Sequence, residues 1–310
     1  VMRALGSGRR AAPPNAPAPP AERTDRLPLS LATHPELVDH MLVPQPRGWP
    51  EPEDGMPSVP MTMSVELIRE AAQRLDPARL PVAVENVQAK TWLRVVPPVE
   101  VEVTARRVDA DRIHVRIDKY VEGTVVMRDR YAPPPPAAPL EIGTAREFPV
   151  GVPAIYDDGW LFHGPGYRGV VSIDGFGDAG IGATLTVLPA KGALLDAAGQ
   201  LVGLHLAFAS AKDRLALPVR IGRVEWFDRA PPPGTPLACR VAIRHAGFRD
   251  LRADLDVLHG DRVLLRVTGW EDWRFQTGDG LWDLMREPAT RLLASIDPRG
   301  FAMIADPGWA

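Results

Sequence analysis

With 310 residues, 45% of them hydrophobic and 24% charged, the chain is long enough for one large core or two smaller ones and reads as globular. Its formal net charge of -3 gives no electrostatic footprint for nucleic acid or for an anionic membrane surface as partner. The one cysteine, Cys239, excludes an intrachain disulfide and a cysteine-rich metal site, and fits a reducing, cytoplasmic setting.

No apolar run approaches a membrane span, and the first residues lack the charged-then-apolar order of a signal peptide. They read instead as a cut from something longer. Residues 1–28, with AAPPNAPAPPAERTD at their heart, hold too little apolar area to fold and are expected to be a disordered Pro/Ala-rich linker. From Leu29 the character changes. Pro44, Pro46, Pro50, Pro52, Pro57 and Pro60 forbid regular structure between His40 and Met61, so a long loop is expected there. A helix follows over Ser64–Leu75, where Val65, Ile68, Ala71, Ala72 and Leu75 fall on one stripe.

Four β-branched runs come next, Thr91–Val96, Val99–Val108, Arg112–Tyr120 and Thr124–Tyr131, with Asp109–Asp111 and Glu122-Gly123 as turns. A proline run at 133–140 then breaks the chain, and the plan repeats. Strand signals at Tyr167–Ile173 and Ala183–Leu188 lead into a second helix, followed by runs at Arg220–Phe227, Pro236–Arg244, Asp250–Leu258 and Arg262–Trp270. Each half is thus a lead-in, one helix and an antiparallel meander. ARRVDADRIHVRI in the first half answers VLHGDRVLLRV in the second, a likeness of order more than of letters. The fold class predicted is α+β, a double hotdog in which each half wraps a curled antiparallel sheet around its helix. Its parts are an N-terminal hotdog over 29–132, a linker over 133–140, a C-terminal hotdog over 141–280, and an extension over 281–310 with a short helix near Leu281–Met285. A single α+β domain with a sandwich-like sheet is the alternative.

The second helix, GALLDAAGQLVGLHLAFA from Gly192 to Ala209, is apolar on every side except for two groups. Asp196 and Gln200 lie four residues apart and share a face. A carboxyl enclosed by such a helix is costly to ionise, so it is expected either to find partners or to stay protonated as a proton donor, with Gln200 orienting it. The competing reading is a partly wet N-terminal carboxylate favoured by the helix dipole. A complementary base is available in the first half: His40, in HPELVDH before the proline-rich loop, with Asp39 beside it as a candidate partner. His34, followed by proline, reads as a turn residue. His205, nine residues beyond Asp196, reads as a core or rim histidine. No His-x-x-x-His or His-Glu-x-x-His spacing exists, so no metal site is expected. No Gly-x-Ser-x-Gly elbow appears either.

HPELVDH, Pro60 ahead of a helix, LLDAAGQ with Asp196 and Gln200, and the Leu217–Val219 LPV together resemble the dehydratase domain of modular polyketide synthases, over about Thr33 to Trp273. WLFHGPGYRG, Trp160–Gly169, resembles that family's segment around Gly-Pro, with His163 where the family has tyrosine. The family's His-x-x-x-Gly-x-x-x-x-Pro motif is departed from. Pro44 stands at its glycine place, and nineteen residues separate His40 from Pro60, so Gly48 or Gly55 serves only if the loop is rebuilt. These features suit a divergent branch.

The resemblance implies a β-hydroxyacyl-[acyl carrier protein] dehydratase, a hydro-lyase of polyketide biosynthesis that removes water from a thioester to give an α,β-enoyl thioester. His40 is then the base and Asp196 the acid. Gln200 orients Asp196, and His163 donates a hydrogen bond near the leaving oxygen. Backbone N–H groups near Gly164 and around Pro60-Met61 are candidate holders of the thioester carbonyl. Pro165 and Tyr167 belong to the same substrate-facing segment, and Trp49, Trp270 and Trp273 are candidate walls for the acyl chain. No bound cofactor is implied, since the substrate rides on the phosphopantetheine of an acyl carrier protein. The expected partners are that carrier, the other domains of a multidomain synthase, and a second copy in a homodimer. Three alternatives stay open: a double-bond isomerase or cyclase using the same pair, a hotdog thioesterase, and a non-catalytic dehydratase-like scaffold.

Overall fold

Alternation of apolar and polar side chains builds the strands of the first half. In the computed structural model, which describes residues 20–43, 51–210, 214–275 and 286, strand β3 (Val99–Arg107) buries Val101, Val103 and Ala105 and turns Glu100, Glu102 and Arg106 outward. Strand β4 (Arg112–Ile117) buries Ile113, Val115 and Ile117 against the same core. The amphipathic stripe foreseen in the sequence forms α1 (Met61–Leu75), which starts one turn earlier than its apolar pattern because Pro60 serves as N-cap residue. It packs on β2 (Leu80–Ala89), β3, β4 and β5 (Val121–Arg128).

The second half repeats this with α3 (Ala193–Ala209) and strands β6 (Val170–Phe176), β7 (Gly180–Thr186), β8 (Ala216–Trp226), β9 (Pro236–Ala246), β10 (Asp250–His259) and β11 (Arg262–Arg274). Together with β1 (Glu22–Leu29), the strands form one antiparallel sheet of 11 in the order β1-β3-β4-β5-β2-β8-β11-β10-β9-β7-β6. The halves join where β2 pairs with β8, Val84 opposite Val224 and Val87 opposite Ile221. The Arg223 guanidinium binds the Glu85 carboxylate across that seam. One apolar core runs through both halves, so the double hotdog expected from the duplicated plan is the architecture observed. Among the described residues no helix is long and apolar enough to cross a membrane.

The structure corrects several sequence expectations. Glu22–Leu29, all but its last residue placed in the disordered linker, is an edge strand on β3. Leu29 is fully buried there, and its polar face is stitched by Arg26 to Glu100 and by Arg74 of α1 to Asp25. Thr91–Val96 is not a strand of the sheet. Its backbone pairs with the loop ahead of α1 instead, Val59 N–H to the Leu93 carbonyl and Val95 N–H to the Pro57 carbonyl. The sheet strand in that region is β2. A residue at positive φ, Asn86 (53°), and irregular pairing with β5 interrupt its pattern. A short helix α2 (Val152–Asp157) was also missed. The 133–140 proline run has no regular structure and is tied to the second half, where Arg240 donates to the Ala138 carbonyl at 2.5 Å. The loop around Gly48 and Trp49 and the helix expected near Leu281–Met285 lie outside the described residues.

Candidate functional site

Helix α3 can hold a buried carboxylate because the rest of it is so apolar. Leu195, Leu201, Val202, Leu204 and Leu206 are each at most 3% exposed. At about 1.5–3 kcal/mol per buried aliphatic side chain, they outweigh the several kcal/mol needed to bury one ion. Asp196, at 7% exposure, has both oxygens engaged. Oδ1 accepts from Gln200 Nε2 at 2.9 Å and lies 3.1 Å from His163 Nε2. Oδ2 accepts from the Thr62 hydroxyl at 3.1 Å and lies 3.8 Å from His40 Nε2.

Thr62 reaches α3 because Gly192, at φ 78°, caps that helix against the first turn of α1. A Cβ there would meet the Met63 amide nitrogen at 2.5 Å, so only glycine lets the two helix starts approach.

His40 ends a 3-10 turn, Pro35–Asp39, whose Leu37 is fully buried and anchors it. Its ring, 6% exposed, sits edge-on to Phe162, His163 and Tyr167 at centroid distances of 5.2, 5.3 and 5.4 Å. The neighbour expected to polarise it does something else. Asp39 Oδ2 accepts the Gly166 N–H at 2.8 Å, and the Asp39 carbonyl accepts the Gly164 N–H at 2.8 Å. A Cβ at Gly164 would lie 2.1 Å from the Asp39 carboxylate. Asp39 is therefore a clamp from the first half onto the His163-Gly164-Pro165 turn of the second, and it sets the two imidazoles side by side.

Gln200 is fixed from three directions. Besides Asp196, its Nε2 donates to the Tyr167 carbonyl at 2.7 Å, and its Oε1 accepts from the Tyr156 hydroxyl at 2.8 Å. Tyr156 also accepts the Val170 N–H at 3.1 Å. Burial pushes the phenol's pKa upward, so it stays a donor.

Electrostatics separate the titrating groups in a way the sequence did not suggest. Burial alone raises the Asp196 carboxyl, but His163, through charge and hydrogen bond, followed by His40 and Gln200, more than offsets this and holds it near 2. Of the two outcomes expected for this carboxyl, partners or a retained proton, the site supplies the partners, from segments outside the helix as well as from Gln200. His40 moves the other way for an imidazole. Burial lowers it against the attraction of Asp196, and His163 lowers it further, to about 4. It is neutral at physiological pH.

His40, Asp196, Gln200 and His163 border one cavity, which Pro60 and Met61 also line. Met61 and Thr62 are among its lining residues and stand at the start of α1, where the N–H groups have no intrahelical partner. Gly164, Pro165 and Tyr167 are not on that wall. The Gly164 amide is taken by Asp39, proline has no N–H, and Tyr167 is fully buried behind His40. Those three support the site instead of facing its contents. Trp270 lines the cavity and Trp273 does not, while Trp92 and Trp160 do. His34 bonds the Thr33 hydroxyl through Nδ1 at 3.0 Å, away from the site. His205 is a core histidine on the Gly177 carbonyl at 2.9 Å. The nitrogen and oxygen ligand atoms of His40, His163 and Asp196 lie within 4.8 Å of one another. Two imidazoles and a carboxylate could hold a divalent transition ion. Local spacing misses this set because three separate segments contribute to it.

A buried, neutral imidazole about 4 Å from a hydrogen-bonded carboxylate, inside a largely apolar cavity, is an arrangement for moving two protons on one small substrate. Comparison with known proteins agrees with that reading. Residues 153–275 match the family model described as polyketide synthase dehydratase N-terminal domain. Among solved structures the chain is similar to the dehydratase domain from the CurJ module of curacin polyketide synthase, with a TM-score of 0.63 and 15% identity over 84% of this chain and 95% of that one. It is similar to the dehydratase domain of a mycocerosic acid synthase-like polyketide synthase, with a TM-score of 0.62 and 18% identity over 85% and 94%. The bifunctional dehydratase-cyclase domain in ambruticin biosynthesis gives 0.59 and 20% over 82% and 91%. At these identities the structural likeness establishes the shared fold. No curated protein matches the sequence.

Proposed function

We propose, from the match of residues 153–275 to the polyketide synthase dehydratase model and from the geometry of the site, that the chain removes water from a β-hydroxyacyl thioester presented by an acyl carrier protein. The observation that carries the reading is the meeting, in one buried cavity, of His40 from one half with Asp196 from the other at 3.8 Å, His163 lying 3.1 Å from the same carboxylate.

The α-proton and the β-hydroxyl sit on adjacent carbons, so base and acid must flank one short stretch of chain, as His40 Nε2 and Asp196 Oδ2 do. Neutral His40 takes the α-proton. The electron pair released becomes the second bond between the α- and β-carbons as the β-carbon–oxygen bond breaks. The departing oxygen takes a proton from the Asp196–His163 couple and leaves as water. That proton belongs to the pair, not to one residue, and His163 resupplies the carboxylate through their hydrogen bond. The Met61 and Thr62 N–H groups, reinforced by the helix dipole, polarise the thioester carbonyl and so acidify the α-carbon. Gln200, Tyr156 and Thr62 position the carboxylate.

On the same reading the chain works beside other synthase domains, in the cytoplasm, as a homodimer. The single buried cysteine supports the reducing setting, and the terminal places of β1 and β6 in the sheet leave an edge for a second copy.

Incubation with a β-hydroxyacyl pantetheine thioester, followed by mass, tests the assignment. Loss of one water supports it, whereas release of the free acid points to a thioesterase. An isomeric product of unchanged mass points to a cyclase. No change across a range of chain lengths leaves only a scaffold and refutes the proposal.

A further inference from the structure

The mechanism leaves one buried carboxyl of the cavity without a task. Asp272, 2% exposed, lines the same cavity as the catalytic groups. It stands at an inward position of β11, where Val263, Leu265, Val267 and Trp270 are apolar, so a leucine or valine would be the cheaper occupant. Pairing with β8 is irregular just there, between Glu271 and Asp272, where the opposite residue is Pro218. A break of this kind re-aims a side chain. Oδ1 accepts the Trp270 indole N–H at 2.5 Å. Among the described residues that is the one side-chain hydrogen bond Asp272 makes, which leaves Oδ2 at the cavity wall without a protein partner. Burial pushes this carboxyl up to about 7, against the Trp270 bond and with a smaller push from Glu271, so it can donate as well as accept near neutrality.

Its place relative to the reacting groups follows from α3. Asp196, Gly199, Gly203 and Ala207 line the cavity along one face of the helix and shrink to glycine and alanine beyond the carboxylate. Room for a chain therefore runs from Asp196 toward the helix C-terminus, about 10 Å as far as Gly203 at 1.5 Å per residue. The Trp270 ring lies against Gly199, where a Cβ would come within 2.5 Å of it. That puts Trp270 and its carboxyl partner beside this channel, past the site of elimination.

We propose, building on the dehydratase reading, that Asp272 forms a subsite for a hydroxyl group carried on the acyl chain beyond the reacting carbons. A hydroxyl suits this position because it can donate to the carboxylate and accept from the acid. An alkyl tail leaves the buried oxygen unpartnered.

The test uses β-hydroxyacyl pantetheine thioesters of equal length whose tails are alkyl, carry one hydroxyl at successive positions, or end in an ammonium. Parent, Asp272→Asn and Asp272→Leu proteins are compared, with thermal melts showing that each is folded. The parent is expected to favour one hydroxylated tail over the alkyl tail by about tenfold or more in kcat/KM. Asp272→Leu should erase or invert that preference, and Asp272→Asn should keep part of it. Binding of unreactive thioether analogues reads the same preference without chemistry. Failure of every substrate to lose water thus counts against the dehydratase reading, while equal binding of alkyl and hydroxyl tails counts against the subsite. Preference for the ammonium tail, or a hydroxyl preference that survives in Asp272→Leu, also overturns it. If Asp272 only braced Trp270, its loss would lower the melting point without changing the ratio between tails.

Discussion

Replacing Tyr156 by phenylalanine removes one oxygen and nothing else. The ring stays, and so does its stacking partner Arg168, whose guanidinium carbon lies 5.2 Å from the ring centroid. What is lost is the donor to Gln200 Oε1 at 2.8 Å and the acceptor for the Val170 N–H at 3.1 Å. Gln200 and Val170 are each 4% exposed, so water cannot replace the hydroxyl without opening the core. Leaving two buried polar groups unpaired at about 1–3 kcal/mol each, with partial relaxation, predicts destabilisation of about 2–4 kcal/mol. For a domain of this size that is a melting point lower by about 4–12 °C.

The catalytic effect follows from the same geometry. Gln200 freed at Oε1 no longer holds its Nε2 on Asp196 Oδ1 in one orientation, and a misplaced carboxylate costs up to about 100-fold. The loss should fall on kcat while KM changes little, because Tyr156 is behind the carboxylate and not against the substrate. Differential scanning fluorimetry and steady-state kinetics with a β-hydroxyacyl pantetheine read the two effects separately. A melting point and kcat both within error of the parent refute the idea that Asp196 is held from behind by this chain of hydrogen bonds.

His40→Ala should lower kcat by about 1,000-fold or more, and Asp196→Asn should come close to it, with both proteins retaining the parent's far-ultraviolet circular dichroism. A His40→Ala protein with more than a tenth of parental kcat sinks the base assignment. The acid limb of kcat/KM should fall as pH drops through about 4, where buried His40 becomes charged, instead of near the ordinary imidazole value. An inflection near 6.5 contradicts that burial. The sign for stability is the same. The native imidazole holds its proton less tightly than the unfolded chain, so stability is full above about 6.5 and is lost as pH falls toward 4. Urea midpoints of parent and His40→Gln should therefore converge across that interval. Asp39→Ala, which frees the Gly166 amide while leaving the backbone bond from Gly164, should reduce kcat by about tenfold or more through misplacement of His163. Asp39→Asn, which keeps an acceptor, should restore most of that activity; equal loss in both variants points to charge and not to the clamp.

The helices and most strands were legible because their signals are local. Val65, Ile68, Ala72 and Leu75 repeat at helical spacing, and Val101, Val103 and Ala105 alternate. Elements whose stability comes from elsewhere were not. β1 carries charged residues at half of its positions and exists because β3 offers it an edge and Leu29 a buried slot. β2 is broken by Asn86 in the left-handed region. Thr91–Val96 has strand composition but finds its backbone partners in the proline-rich loop. The same division runs through the site. Asp196 and Gln200 advertise themselves as polar groups on an apolar helix, but Thr62 and Tyr156 lie 134 and 44 residues from their partners Asp196 and Gln200 and carry no local mark. The choice between a protonated and a partnered Asp196 stayed open in the sequence for that reason. Desolvation is written in the helix, whereas the two groups that do most to reverse it, His163 and His40, come from separate turns.

The duplicated fold explains why the clamp at Asp39 matters more than its place in the sequence suggests. A single hotdog half can supply the imidazole or the carboxylate, and the β2–β8 seam brings the halves together as sheets. The seam does not fix the loops. His40 leaves a short 3-10 turn ahead of a proline-rich segment, and His163 sits on a turn between α2 and β6, so neither is held by a helix or strand of its own. The link between the turns is the pair of 2.8 Å bonds from Gly164 and Gly166 to Asp39, made possible by glycines whose missing Cβ atoms leave room for the carboxylate. Catalytic geometry to within an ångström thus depends on a contact that touches neither substrate nor either catalytic atom. The base and its neighbouring acid couple move together if the halves shift, because one residue of the first half grips the turn of the second.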